Sequence, residues 1–81
     1  MATIKEIINE ASRIGKMPRV TYRFRNEDFI RTGTVTVIKD NRNHSGVAVQ
    51  FDNREWDDWF WDSDSDDKRK KYLRNLSIEN S

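Results

Sequence analysis

The chain contains no cysteine, which excludes disulfides, thiol catalysis and sulfur-ligated zinc and suits a reducing compartment. Its three glycines stand apart from one another, so there is no glycine-rich loop to cradle a phosphate. The one histidine, His44, sits between Asn43 and Ser45 in a polar stretch, with no partner at the spacing of a catalytic triad or a metal pair. No run approaches the ~18 apolar residues of a membrane-spanning helix, and no basic-then-apolar leader opens the chain. These absences predict a cytoplasmic protein that is not an enzyme, holds no cofactor or metal, and has no membrane partner.

Eighty-one residues make room for one domain, 1–81. Aromatic residues are 11% of the chain and are expected to carry much of its small core, since each buried ring removes roughly 150–250 Å² from water. The net charge of +1 conceals segregation. Residues 51–67 hold one base and eight acids, whereas residues 1–32 hold seven bases against four acids and residues 68–81 hold five against one. Blocks of this kind pair within a fold or define a binding face.

The residues from Thr3 to Gly15 read as an amphipathic helix. Thr3 and Glu6 have the spacing of a capping box, and Ile4, Ile7, Ile8, Ala11 and Ile14 form one apolar stripe. Gly15 is a stop, and Pro18, the chain's one proline, prevents the helix from resuming. From Arg19 the period becomes two: Val20, Tyr22 and Phe24 alternate with Thr21, Arg23 and Arg25 in a first strand. A turn at Asn26, Glu27 and Asp28 leads to a second strand over 29–38, with Gly33 marking a bend or bulge. A polar loop over 39–46 precedes a third strand with Val47, Val49 and Phe51 on one face, and a fourth strand spans 56–62. Residues 63–71 form a charged loop, 72–78 a closing turn or short strand, and 79–81 a frayed tail.

The expected class is mainly β (α+β), with the barrel strands lying within 19–62. The leading helix, the Val20–Tyr22–Phe24 strand, the bent stretch Thr32, Gly33, Thr34, Val35, the Val47 to Asp52 strand and the closing segment from Leu73 to Ile78 resemble an SH3-like or Sm-like small barrel of four to five strands. Residues 11–22 and 72–78 also look like the opening and closing segments of WYL-type ligand-sensing barrels, although Gly46, Val47, Ala48 and Val49 stand where the Trp-Tyr-Leu motif belongs. Barrels of these classes bind nucleic acid, peptides, modified side chains or regulatory ligands, so the resemblance implies binding without choosing the ligand. It also allows an Sm-like ring, and the oligomeric state stays open.

All three tryptophans lie within 56–61, in the acidic block. Alternating Asp62, Ser63, Asp64, Ser65 and Asp66 imitate the opening of a calcium loop. Asp67 stands where that loop needs glycine, and Leu73 where it needs a closing glutamate. In an extended strand Trp59 and Trp61 share a face with Asp57, while Phe60 shares the other with Asp58 and Asp62. An outward aromatic could stack bases or anchor a protein, and the surrounding aspartates would repel a phosphate backbone. The expected docking residues for a basic protein surface are therefore Trp56, Asp57, Asp58, Trp59, Trp61, Asp62, Asp64, Asp66 and Asp67. The leading expectation is an adaptor or inhibitor of a nucleic-acid-processing or transcription protein, of the kind encoded by phages and mobile elements. The alternative is a nucleic-acid-binding barrel using Arg23, Arg25, Arg31, Lys68, Arg69, Lys70, Lys71 and Arg74. A third reading, from the WYL-like resemblance, is a small-ligand sensor.

Overall fold

The computed structural model describes residues 2–79. Helix α1, Ile4–Ile14, starts where the capping box predicts. The Glu6 N–H donates to Thr3 Oγ1 at 3.2 Å and the Thr3 N–H donates to Glu6 Oε1 at 3.2 Å, so two otherwise unpaired donors are satisfied. Gly15 ends the helix with a φ of 71°, and its N–H donates to Ala11 O at 2.9 Å. Along the apolar stripe only Ile7 is fully buried, while Ile4 packs at the rim of the core. Three turns of helix are marginal alone, and this core contact is what secures them.

Five strands follow: β1 Arg19–Tyr22, β2 Arg31–Asn41, β3 His44–Phe51, β4 Asp57–Trp61 and β5 Ser77–Ile78, with a 3₁₀ turn at Leu73–Asn75. They form one antiparallel sheet in the order β4-β3-β2-β1-β5. The molecule is thus mainly β, with a helix. Ile7, Val20, Val35, Val47, Val49, Phe51, Phe60, Leu73 and Leu76 make up most of the core. Each such fully buried Val, Leu, Ile or Phe contributes about 1.5–3 kcal/mol relative to exposure. Tyr22 and Phe24 close one side, edge-on to each other at 4.9 Å, with Tyr22 also 4.9 Å from Phe60 and Phe24 5.0 Å from Phe51. At the far edge the Trp61 N–H donates to Lys71 O at 3.0 Å, part of a parallel bridge between Trp61 and Tyr72.

Several boundaries differ from expectation. The first strand stops at Tyr22, because pairing with β2 ends at Tyr22 opposite Arg31 and the chain then turns, with the Glu27 N–H on Phe24 O at 3.0 Å. Phe24 continues the alternating pattern by packing, without strand pairing. Phe29 and Ile30 precede β2 and are 54% and 64% exposed. The polar loop expected over 39–46 is mostly ladder. Lys39 pairs with Gly46, Asp40 with Ser45 and Asn41 with His44, leaving a two-residue turn at Arg42 and Asn43. The Ser45 hydroxyl donates to Asp40 Oδ1 at 3.2 Å and lies 3.0 Å from Asn41 O, so polar side chains support this hairpin end. Trp56 and Asp62 fall just outside β4.

The bulge is not at Gly33. Register shifts between Val35, opposite Val49, and Val37, opposite Ala48, which leaves Thr36 as the extra residue and turns both Val35 and Ile38 toward the core. Gly33 is instead a close approach. Paired with Val20 and Phe51, it is buried so tightly that a Cβ would lie 2.8 Å from both Gln50 O and Val49 Cγ1. Of the tail expected to fray, Glu79 is held by its N–H on Arg19 O at 2.9 Å, and residues 80–81 lie outside the described residues.

Candidate functional site

Strand β4 sends alternate side chains to opposite sides of the sheet. Asp58 and Phe60 go inward; Asp57, Trp59 and Trp61 go outward over Gln50, Ala48 and Gly46 of β3. The two indoles stack, with centroids 5.1 Å apart and planes 11° from parallel. His44 extends the row, its ring 4.2 Å from that of Trp61. Small residues beneath make this possible. A Cβ on Gly46 would come within 2.7 Å of Trp61 Cε3 and 2.6 Å of Phe60 O, so only glycine lets the indole lie flat there. At the other end, Asp57 is exposed and its Oδ2 accepts from the Thr36 hydroxyl at 3.0 Å. The bulge residue thereby orients the carboxylate beside the indoles.

The other residues of the acidic tryptophan stretch go elsewhere. Asp58, expected in the docking set, is 8% exposed, and its carboxylate meets Arg54 Nη1 at 3.3 Å and Lys71 Nζ at 3.5 Å. The Arg54 guanidinium also lies 4.1 Å from the Phe24 ring centroid and 5.3 Å from that of Trp56, which is 59% exposed. Trp56 therefore belongs to an arginine-centred hub, on the opposite side from Trp59 and Trp61.

Part of the acidic block is neutralised internally. Asp52 binds Arg19 with two hydrogen bonds of 2.8 and 2.6 Å, and this guanidinium holds the carboxyl below its usual range. Asp67 is likewise held low by the Arg69 side chain and then by the Arg69 backbone N–H, and Asp66 meets Arg74 at 3.9 Å. Glu55, Asp57, Asp62 and Asp64 have no ion-pair partner among the described residues. Exposed Asp62 and Asp64 follow directly on from the tryptophan row. No three His, Cys, Asp or Glu side chains converge as metal ligands among the described residues.

The expected basic face also divides. Arg25, Lys68, Arg69, Lys70 and Lys71 come together around a cavity of about 300 Å³, with Arg54, Tyr22 and Phe24 also lining it. Burial pushes the Tyr22 phenol up, partly offset by the Arg25 charge. Arg23 is exposed and not in that lining. Arg31 is bound to Glu27 at 2.6 Å and stacked 4.7 Å from the Phe29 ring centroid. Arg74 lies over Tyr72 at 4.3 Å and donates to Ser63 O at 2.7 Å and Ser65 O at 2.9 Å, pinning the acidic loop.

Sequence reasoning missed Arg54, Tyr22, Phe24 and His44 as site components. Arg54 did carry a signal, as the one base inside the acidic block. His44 carried none, because its contact with Trp61 depends on the length of the hairpin. Among the described residues no helix is long and apolar enough to cross a membrane. Compared with known protein families, curated proteins and solved structures, the chain finds no match.

Proposed function

We propose that this protein is a non-enzymatic docking module that binds a basic protein surface through the outer face of β4. The observation that carries the reading is the stacked Trp59–Trp61 pair, seated on the outer side of the sheet with Asp57 at one end. Paired indoles offer a rigid amphipathic anchor of the kind that dominates interface energetics. Asp57, Asp62 and Asp64, free of ion pairs among the described residues, supply negative charge beside it. That combination complements a basic surface, and a nucleic-acid-processing or transcription protein of the cytoplasm presents one by the nature of its work. Asp58 is left out of the docking set, since its charge is spent on Arg54 and Lys71. Phage and mobile-element proteins that imitate nucleic acid act in this way, as adaptors or inhibitors.

The scaffold for this face is a small SH3-like or Sm-like barrel. Two features support closure: the strand order β4-β3-β2-β1-β5 and the bridge from Trp61 at the β4 edge to Tyr72, shortly before β5. Such closure removes the sheet edges and keeps the indole row rigid.

The test is a crosslinking capture from native lysate with three forms of the protein. Wild type should capture one or a few basic proteins. Both Trp59→Ala/Trp61→Ala and Asp57→Lys/Asp62→Lys should lose them, with circular dichroism of the charge-reversed form unchanged. Retention of the same proteins by the charge-reversed form would overturn the reading.

A further inference from the structure

The cavity between the segment after β1 and the loop before the 3₁₀ turn shares no lining residue with the Trp59–Trp61 row and its aspartates. We infer that it is a phosphate site for single-stranded nucleic acid, with Trp56 as the adjoining base-stacking surface. Six cationic side chains line it: Arg25, Arg54, Lys68, Arg69, Lys70 and Lys71. Among its described lining residues the single carboxylate is Glu27, whose charge is taken up by Arg31. Arg69 is paired with Asp67, and Arg54 and Lys71 share Asp58. The cavity thus keeps a net positive charge carried chiefly by Arg25, Lys68 and Lys70, and low-dielectric walls such as Tyr22 and Phe24 focus that field.

Its two deepest cations are held in place. Asp58, buried beneath them, meets both Arg54 and Lys71, so one carboxylate orients two positive groups and leaves net positive charge at that point. Arg54 is further fixed by lying over Phe24, and most of its N–H donors remain for a ligand. Beyond Arg54 stands Trp56, an exposed indole with no aromatic partner among the described residues. The aspartates that flank Trp59 and Trp61 disfavour base stacking there, because they repel a phosphate backbone. At Trp56 the neighbouring group is a guanidinium, and a strand with its phosphate in the cavity brings its base within reach of the indole.

Fluorescence anisotropy of labelled oligothymidylate and oligouridylate at low ionic strength tests this on the intact chain. Wild type should bind one or both, with affinity falling steeply as salt rises. Arg25→Ala/Lys68→Ala removes two exposed cations without touching the core and should weaken binding about ten-fold, with a salt slope smaller by about one to two. Trp56→Ala should weaken it about five-fold or more. Arg23→Ala/Arg42→Ala removes the same charge outside the cavity and should stay within about two-fold. Competing ATP distinguishes the source of the phosphate: displacement of the strand assigns the site to free nucleotide as well, and failure to displace it restricts the site to a strand. Absence of binding by wild type to either oligonucleotide overturns the proposal. So does equal weakening by the two double variants, which would reduce the effect to net charge.

Discussion

Asp57 and Asp58 are neighbours in sequence and have opposite lives in the fold. Asp57 is exposed, tethered only by the Thr36 hydroxyl, and stands beside two stacked indoles. Asp58 is buried and clamps Arg54 and Lys71, two of the cations that line a cavity. The tryptophans divide in the same way, with Trp59 and Trp61 beside the first aspartate and Trp56 beside the arginine hub. One short acidic, aromatic stretch thus supplies two surfaces of opposite sign. A pleated strand does this without any special device, because successive side chains point to opposite faces.

The support under the indole row gives the largest expected effect. Gly46→Ala would drive a methyl against Phe60 O and the Trp61 ring, and is expected to destabilise by about 3 kcal/mol while weakening the near-ultraviolet signal of the stacked indoles. An unchanged denaturation midpoint would mean that the row does not lie flat on β3.

The adjacent aspartates should then separate. Asp58→Ala strands Arg54 and Lys71 without their shared anion, and since both reach solvent the expected loss is about 1–2 kcal/mol in urea denaturation. Asp57→Ala should stay within about 0.5 kcal/mol. Equal losses would erase the contrast between the two faces.

The smallest effect is an alkaline one on the hub side. Burial raises the Tyr22 phenol above its ordinary 10.0, so the folded state holds its proton more tightly than the unfolded chain does. The associated stability is fully present below pH 10.0 and is lost as pH rises through the higher folded value. Ultraviolet titration should show a late tyrosinate step that disappears in Tyr22→Phe.

Much of this architecture was legible in the chain. The capping box at Thr3 and Glu6, the stop at Gly15 and the two-residue period around Val20 and Val49 all rest on interactions within a few residues, and each was found where expected. The parity of β4 was legible for the same reason. The errors fell where tertiary pairing extends or cuts local pattern. Hydrogen-bonded register carried β2 through polar residues 39–41 and β3 back through 44–46, and the bulge moved to Thr36 because both Val35 and Ile38 fit the core.

The chain's own pattern determined that Trp59 and Trp61 would share a face with Asp57 and oppose Phe60, since alternation is a property of the extended backbone. Which of those faces would be wet was decided only by the fold, where Phe60 meets Tyr22 of β1 and Phe51 of β3. The meeting of Arg54 with Lys71 and of Arg25 with Lys68 was likewise decided there. Alternation depends on adjacent residues, whereas burial and charge pairing depend on which distant segments the folded sheet brings together.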